Sequence, residues 1–475
     1  MTALEGATAD LACHTMLYRN AASGSPKPVQ FAYSIGTNQY SSGTRAGLFN
    51  SIDPGGAGTP TANWLSISNA DEAPFSANVL AYDADGNPRP EFTYTISNLN
   101  PGGRIDLPLG HPAGEMVGMY EIVPAPDSIG RNYWATEVRY AQRDVSDYIF
   151  AFATHAQQGS CDSGELPVST FGPATNWLEI VNPSDVSVVA SVTIRDASGG
   201  TVYVGSHPLG PKAQVHTLVN DKLGIDAIGT AQVTCGPETP ESAALIAQSA
   251  FYGRRAGGGR LEWAYASQGS RPGISGGDLA FVPINTFFGS YNWVKTQNRA
   301  GGAVYVGAEL FNQQGASASS QIGFLAHRGA FDFDMHSALG VDAVGVARLG
   351  STGGTFGAEL IRVYPRSDGT IGYITNIAAV PKAADLPTNG GGDVTPPSVM
   401  LVAPDDQSPV SGTIQFEATA SDNDAVARVE FLVEGAVISM ATAEPYRTPP
   451  IDTTLVPDAP YTVAARAVDR SGNEA

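Results

Sequence analysis

Seven histidines and three cysteines are the residues of this sequence most suited to acid–base chemistry or metal binding. No two histidines stand four residues apart, as two zinc ligands on one helical turn would, and no Cys-x-x-Cys pair occurs. We therefore expect surface or partly buried histidines and no zinc centre. The histidines are His14, His111, His155, His207, His216, His327 and His336.

The run from Gly273 to Gly277 has the glycine–serine spacing of a nucleophile elbow, with Ser275 at the position of the nucleophile. Such an elbow needs a strand before it and a helix after it. Neither pattern flanks this glycine-rich run, so we interpret it as a loop. The sequence then predicts no catalytic residue, and we do not expect an enzyme.

Calcium is the one cofactor that the carboxylates suggest, because it takes several oxygen ligands from turns. Asp422, Asp424 and Asp469 lie in two predicted turns of the C-terminal part and are the candidate ligands. Asp83 and Asp85 share an earlier turn, but the corresponding turns of two later repeats lose carboxylates. That loss indicates that the carboxylates of the repeats stabilise turns. Calcium remains a hypothesis for the C-terminal part.

The odd number of cysteines prevents complete pairing within the chain. Cys161 and Cys235 fall within one predicted domain, and in an extracellular protein we expect them to form a disulfide; two buried thiols are the alternative. Cys13 would then have no partner, as in a fragment of a longer protein. Residues 1–10 lack the apolar core of a signal peptide, so we expect either such a fragment or a protein that is not exported.

Composition limits the class of protein and its partners. Glycine (54) and proline (33) are abundant and only 15% of residues are charged, which favours many short strands joined by turns. A net charge of −20 repels phosphate backbones, so nucleic acid is not an expected partner. The sequence has no run of about 18 apolar residues and predicts no membrane span.

Internal repetition organises most of the chain. The motif Asn-Trp-(Leu/Val)-x-x-x-Asn occurs three times, and the copies start 113 and 116 residues apart. An Asp or Asn follows 20 residues after each first asparagine, with a glycine three residues later, which predicts a tight hairpin turn. The motif residues are Asn63, Trp64 and Asn69; Asn176, Trp177 and Asn182; and Asn292, Trp293 and Asn298, and the turns start at Asp83, Asp196 and Asn312.

A second repeated feature is a strand with a tyrosine, followed by a turn and an aromatic strand. It occurs four times, because the N-terminal residues carry it as well, so we expect the chain to begin within a repeat. The copies are Tyr18 with Phe31–Tyr33, Tyr140 with Phe150–Phe152, Tyr252 with Trp263–Tyr265, and Tyr364 with Tyr373.

These patterns predict an all-β fold of tandem β-sandwich repeats followed by an immunoglobulin-like β-sandwich. A repeat of about 115 residues with seven or eight short strands is typical of one sandwich. The predicted domains are the end of a truncated repeat, three full repeats, a linker and a C-terminal module that lacks its closing strand. Their bounds are 1–43, 44–160, 161–273, 274–385, 386–397 and 398–475.

The motif tryptophans, Trp64, Trp177 and Trp293, stand within apolar strands. We interpret them as core residues packed against the opposite sheet, because binding platforms lie more often on loops. Sugar-stacking platforms are the alternative interpretation, which a buried Trp177 would weaken.

Five short segments characterise the C-terminal part: Thr395–Pro397, Ala418–Asn423, Val429–Phe431, Pro445–Tyr446 and Ala467–Asn473. Together they resemble the bacterial immunoglobulin-like domain, over about residues 395–475. The resemblance implies a sandwich used as a spacer or adhesion module in extracellular proteins, often beside carbohydrate-active enzymes, with no activity of its own.

We therefore expect a non-catalytic structural or adhesive repeat region of a secreted or cell-surface bacterial protein. The alternative is an accessory region, either a spacer or a glycan-binding part, of a larger extracellular carbohydrate-active enzyme. Candidate partners are surface glycans or other surface proteins, and the expected location is extracellular or on the cell surface. Repetition also suggests that length or valency matters to the function.

Overall fold

The computed structural model of the chain is all-β, and its described part contains one α-helix, of four residues, Asn220–Leu223. No helix in the described part is long and apolar enough to cross a membrane. The described residues are 14–20, 29–36, 42–53, 61–142, 148–172, 174–237, 239–254, 261–269, 273–351, 353–366, 369–382, 395–404, 409–423, 426–441, 444–469 and 473–475.

The chain divides into two compact units. The first consists of Met1–Arg271 together with Ile361–Ile377, and the second of Pro272–Leu360 together with Ala378–Ala475. Their sheets confirm the predicted fold class, which is a series of β-sandwiches followed by an immunoglobulin-like sandwich.

The first unit begins with a two-stranded hairpin and the first sandwich. Two four-stranded antiparallel sheets build this sandwich, because residues such as Leu65 and Ile67 alternate with outward-facing Trp64 and Ser66 and bury one face of each strand. The strands are β1 (His14–Asn20), β2 (Val29–Gly36), β3 (Arg45–Asn50), β4 (Ala62–Asn69), β5 (Phe75–Asp83), β6 (Tyr94–Leu99), β7 (Arg104–Leu109), β8 (Val117–Pro124), β9 (Tyr133–Gln142) and β10 (Tyr148–His155). The sheet orders are β3-β8-β5-β6 and β10-β9-β4-β7.

The second sandwich repeats this arrangement within the first unit. Its sheets have the orders β11-β16-β13-β14 and β15-β12-β17-β18. Each strand therefore has the same neighbours as the equivalent strand of the first sandwich. The strands are β11 (Leu166–Ser169), β12 (Ala174–Val181), β13 (Val188–Asp196), β14 (Thr201–Leu209), β15 (Gln214–Leu218), β16 (Ile228–Cys235), β17 (Ile246–Arg254) and β18 (Leu261–Gln268).

The second unit contains most strands of the third sandwich. One sheet has the order β22-β21-β24-β19-β27, and β20 pairs with β23. The strands of this repeat are β19 (Leu279–Asn285), β20 (Tyr291–Asn298), β21 (Val304–Asn312), β22 (Ser317–Leu325), β23 (Ala330–Asp334), β24 (Val344–Gly350), β25 (Phe356–Pro365), β26 (Ile371–Ala378) and β27 (Val380–Lys382). The hairpin of β25 and β26 supplies residues 361–377 of the first unit.

The immunoglobulin-like module completes the second unit, and Phe416, Val429 and Phe431 lie in its core. Its β32 packs on β21 so closely that a Cβ on Gly307 would lie 2.4 Å from the carbonyl oxygen of Val437. The strands are β28 (Ser398–Ala403), β29 (Thr413–Ile414), β30 (Glu417–Ser421), β31 (Val426–Val433), β32 (Ala436–Ala441), β33 (Tyr446–Arg447), β34 (Ile451–Asp452) and β35 (Val463–Asp469).

The tyrosine-and-aromatic feature forms four hairpins in the first unit, here called the aromatic hairpins: β1–β2, β9–β10, β17–β18 and residues 361–377. In the first three the tyrosine stands directly opposite an alanine of the partner strand, which leaves room for its ring. These pairs are Tyr18 with Ala32, Tyr140 with Ala151, and Tyr252 with Ala264.

Contacts between the aromatic hairpins run in a closed cycle. The first packs on the second, where Phe31 and Tyr33 meet Val138 and Ala151. The second hairpin packs on the third, where Phe150 and Phe152 meet Tyr252 and Ala264. The third packs on the fourth, where Phe251 and Trp263 meet Ile361 and Ile374. It closes where Tyr373 packs on Val29 and Ala32. The first unit therefore joins residues more than 340 positions apart through one sequence of aromatic contacts.

Candidate functional site

The second asparagine of each motif is a structural clamp. Asn69, Asn182 and Asn298 are buried, and each Oδ1 accepts a hydrogen bond from the backbone N–H two residues later. Each Nδ2 donates to a carbonyl four residues later and to one or two carbonyls at the end of the following hairpin. The acceptors are Ala73 and Leu99; Val186, Leu209 and Gly210; and Gly302, Leu325 and Ala326.

The first asparagine of each motif joins the two sheets of its sandwich. Asn63, Asn176 and Asn292 are fully buried on β4, β12 and β20. Their Oδ1 atoms accept from the backbone nitrogens of the last residues of β3, β11 and β19, which belong to the other sheet. The donors are Asn50 at 3.3 Å, Ser169 at 3.1 Å and Asn285 at 3.4 Å.

The repeated turn has the same hydrogen bonds in every copy. The Oδ1 atom of Asp83, Asp196 or Asn312 accepts from the backbone nitrogens two and four residues later. The glycine three residues after this Asp or Asn has a positive φ, at 86°, 84° and 78° in the three copies. A residue with a side chain would be strained in this conformation. Because an amide oxygen serves as well as a carboxylate here, the exchange of Asp for Asn follows from turn geometry.

The prediction that the motif tryptophans pack in the core against the opposite sheet is wrong for all three copies. Trp64 is 38% exposed and Trp293 is 37% exposed, whereas Trp177 is half-buried against the cluster that contains Phe150 and Phe152. The first asparagine faces the sandwich core, so strand alternation points the next residue, the tryptophan, outward. Packing by the neighbouring aromatic hairpin covers Trp177.

Each exposed tryptophan has a histidine beside it. The ring centroids of Trp64 and His111 lie 5.5 Å apart, and so do those of Trp293 and His336. Both histidines are fixed by the backbone of the first motif asparagine: Asn63 N donates to His111 Nδ1 at 3.1 Å, and His336 Nδ1 lies 3.2 Å from the carbonyl oxygen of Asn292. Burial lowers the pKa of His111.

The second sandwich has an asparagine at the histidine position. Asn176 N donates to Oδ1 of Asn220 at 2.9 Å, the same backbone contact that His111 makes in the first sandwich. The tryptophan–histidine pair therefore occurs in the two copies whose tryptophan is exposed and is replaced in the copy whose tryptophan is covered. The two histidines follow the first motif asparagine at different distances, 48 residues for His111 and 44 for His336, so motif spacing alone could not indicate the pairs.

Further exposed aromatic residues stand close to this pair in the sequence, and the set is here called the aromatic rim: Phe287, Phe288, Tyr291, Trp293 and His336. The four residues of the rim other than His336 are each at least 37% exposed. The His336 ring lies 4.9 Å from that of Tyr291. Nδ1 of His336 is 2.8 Å from Oδ1 of Asp334, a carboxylate. Burial alone would raise the pKa of Asp334, but hydrogen bonds from Ser337 and from the His336 backbone lower it.

A buried charged cluster lies where the first two sandwiches meet. Arg139 Nη1 donates to Glu179 Oε1 at 3.3 Å and to the Tyr252 hydroxyl at 2.9 Å, and Arg139 Nε lies 3.8 Å from Glu137 Oε1. Burial raises the pKa of Glu137 to about 7 despite the nearby guanidinium. Burial would also raise the pKa of Glu179, but Arg139, His216 and Gln248 outweigh it and hold the value at about 2.

One guanidinium thus neutralises one of two carboxylates, and the second carboxylate prefers its protonated form. Glu137, Arg139 and Glu179 are each at most 1% exposed, so a solute has no route to them in this structure. Shifted pKa values often mark reactive groups, but here they follow from burial between packed sheets. We interpret the cluster as structural.

The structure brings Cys161 and Cys235 together in a disulfide, with their Cα atoms 4.8 Å apart. The pairing stays a prediction for experiment, and Cys13 lies outside the described residues. Ser275 stands in a turn where Asp278 N donates to its carbonyl oxygen, and β19 follows instead of a helix. The strand–turn–helix context that an elbow needs is therefore absent around this serine.

Within the described residues, the candidate calcium ligands are not grouped into a ligand set. Asp469 accepts hydrogen bonds from the backbone and side-chain nitrogens of Asn473, Asp422 follows the end of β30, and Asp424 lies outside the described residues. Within the described ranges, no three His, Cys, Asp or Glu side chains are grouped closely enough to hold a metal ion.

Replacement of one clamp asparagine tests its structural role. Asn182→Ala removes the donor that serves the carbonyls of Val186, Leu209 and Gly210, so we expect it to lower the free energy of unfolding by about 3 kcal/mol. Asn78→Ala, at an exposed position, is the control and should change it by less than about 0.5 kcal/mol. Denaturant unfolding measures both, and equal effects would contradict the clamp.

Glu137→Gln tests the charged cluster through pH. The folded-state pKa of Glu137 is raised from 4.5 to about 7, so the folded protein binds the extra proton and stability falls as pH rises through that window. Without this carboxyl, the decline between pH 4.5 and pH 7 should be smaller than in the unaltered protein. The free energies of unfolding of the variant and of the unaltered protein, measured across this pH range, test the prediction. Equal pH dependence in the two proteins would contradict the raised pKa of Glu137.

Comparison with known proteins assigns the C-terminal module. Residues 397–470 match the family model described as a bacterial Ig domain, and the preceding sandwiches match no family model. No curated protein matches the chain. Among solved structures, the chain is similar to the fibronectin(III)-like modules of CbhA from Clostridium thermocellum, at 20% identity over 37% of this chain and 81% of that chain, with a TM-score of 0.16. The family match confirms the resemblance predicted from sequence: the tandem sandwiches are followed by a module of the bacterial Ig type.

Proposed function

We propose that this chain is a non-catalytic structural or adhesive repeat region of a secreted or cell-surface bacterial protein. One observation supports this most directly: the polar residues that recur in every motif are used to hold the sandwiches together. In all three copies the Oδ1 atoms of both motif asparagines and of the turn residue accept from equivalent backbone nitrogens, and Nδ2 of the second asparagine donates to equivalent carbonyls. Repetition of these residues therefore preserves a shape, and it does not preserve a set of reactive groups.

The location outside the cell rests on the C-terminal module and the disulfide. Bacterial Ig domains typically occur in secreted or surface proteins. A disulfide between Cys161 and Cys235 is stable in an oxidising compartment and is rare in the cytosol. Surface glycans or other surface proteins are the partners that we propose.

A second candidate function is favoured by the exposed tryptophan–histidine pairs. In this alternative the chain is an accessory, glycan-binding region of a larger extracellular carbohydrate-active enzyme. Trp64 and Trp293 are 38% and 37% exposed on two sandwiches, which a simple spacer does not require. Both candidates share an extracellular, non-catalytic role.

The oxidation state of the protein recovered from its native cells tests this role. We expect antibodies against the second sandwich to label intact cells or the culture medium. Protein from that fraction, alkylated under denaturing and non-reducing conditions, should yield a linked peptide pair containing Cys161 and Cys235. Labelling that requires permeabilised cells, together with alkylation of both cysteines, would overturn the extracellular assignment.

A further inference from the structure

We propose that the aromatic rim of the third sandwich is a binding site for an uncharged polysaccharide. This inference deepens the adhesive function and rests on it. The rim offers ring faces for the C–H faces of sugar rings, beside polar groups for sugar hydroxyls. It also has a smaller counterpart on the first sandwich.

Three rings of the rim, those of Tyr291, Trp293 and His336, lie close together. Tyr291 and Trp293 are two residues apart on β20, so their side chains point to the same face of the sheet. They are 45% and 37% exposed, and the His336 ring lies within 5.5 Å of both ring centroids. Three rings in contact offer a surface longer than a single side chain could.

Phe288 stands three residues before Tyr291 and has a backbone conformation that bulky residues avoid. Its φ is 59°, in the left-handed region, and its backbone N–H donates to Oδ1 of Asp342 at 2.9 Å. The side chain remains 55% exposed, so this conformation is not explained by burial of the ring in the core. In the second sandwich Gly172 has a φ of 63° and its N–H donates to Oδ1 of Asp226 at 2.9 Å, so this turn is a shared structural feature that fixes the position of Phe288.

Polar groups border the same rings. Nδ1 of His336 faces the carboxylate of Asp334 at 2.8 Å and therefore carries the proton in the neutral ring, which leaves Nε2 as an acceptor. Further along the sheet, Lys295 stands opposite Asp332, and the two form an ion pair at 3.3 Å. Donors and acceptors fixed beside aromatic faces suit a sugar, which presents C–H faces and hydroxyls together.

The net charge of the chain disfavours a polyanionic occupant, and the repetition of the tryptophan–histidine pair suits a polymer. A chain with a net charge of −20 repels polyanions, and the lysine and aspartate beside the rim already neutralise each other. The pair of Trp64 and His111 repeats the core of the site on the first sandwich. A polysaccharide repeats its own sugar units, so the same polymer suits each copy of the pair separately.

Native affinity electrophoresis of the full chain tests the proposal. The gels contain a soluble β-glucan, xylan or galactomannan as uncharged probes, and polygalacturonate as the anionic probe. We expect at least one uncharged polymer to retard the unaltered chain. Retardation by none of them, or by polygalacturonate alone, would overturn the proposal.

Three variants then locate the binding. Trp293→Ala should weaken retardation about tenfold because it removes the central ring, while Trp293→Phe keeps an aromatic face and should retain most of the binding. Trp134→Ala is the matched control, since Trp134 stacks on His155 at 6.3 Å outside the rim and should not affect binding. If Trp293→Ala lowers the melting temperature, Tyr291→Ala replaces it.

Equal retardation of Trp293→Ala and the unaltered chain would show that the rim is not the site. Such a result would leave the extracellular, non-catalytic function standing, because surface labelling and the linked cysteine peptides are measured independently. Conversely, a cytosolic location with intact polysaccharide binding would remove the proposed function and keep the site.

Discussion

Burial of aromatic hairpins against one another is the interaction on which the first unit depends. Each hairpin carries a face with large aromatic or aliphatic side chains that packs on the next hairpin of the cycle. Large aromatic side chains contribute most of the buried area in such contacts. Because Tyr373 packs on Val29 and Ala32, the contacts close on themselves, and Tyr18 of the first hairpin remains 45% exposed. Closure of this sort limits a repeat protein to a fixed number of contacts instead of an open stack.

The need to hydrogen-bond buried carbonyl groups determines which motif positions can vary among the sandwiches. Asn182 and its counterparts supply hydrogen bonds to carbonyls that would otherwise be buried without a donor, so these positions repeat. The tryptophan between the two asparagines points away from the core, and its surroundings differ among copies. Trp177 is covered by the neighbouring hairpin, whereas Trp293 is open. One repeated motif therefore combines a fixed structural part with a position that is free to take part in binding.

Sequence patterns could predict the fold class, because period-two alternation and the Asp/Asn-x-x-Gly turn are local signals. They could also place the C-terminal module, whose short segments match a known family. Exposure of Trp64 and Trp293 could not be predicted, since alternation shows which residues share a face and not whether a neighbour covers that face. The cluster around Arg139 was missed for the same reason: Glu179 lies 40 residues away on another sandwich.

Hydrogen exchange at the N-terminal hairpin tests the closed cycle most directly. Residues 29–36 and Tyr373 are far apart in sequence, and only the cycle brings them together. We predict that Tyr373→Ala accelerates amide exchange in residues 29–36 and leaves exchange in β14 unchanged, because β14 takes no part in these contacts. Unchanged exchange at residues 29–36 in this variant would contradict the closed cycle.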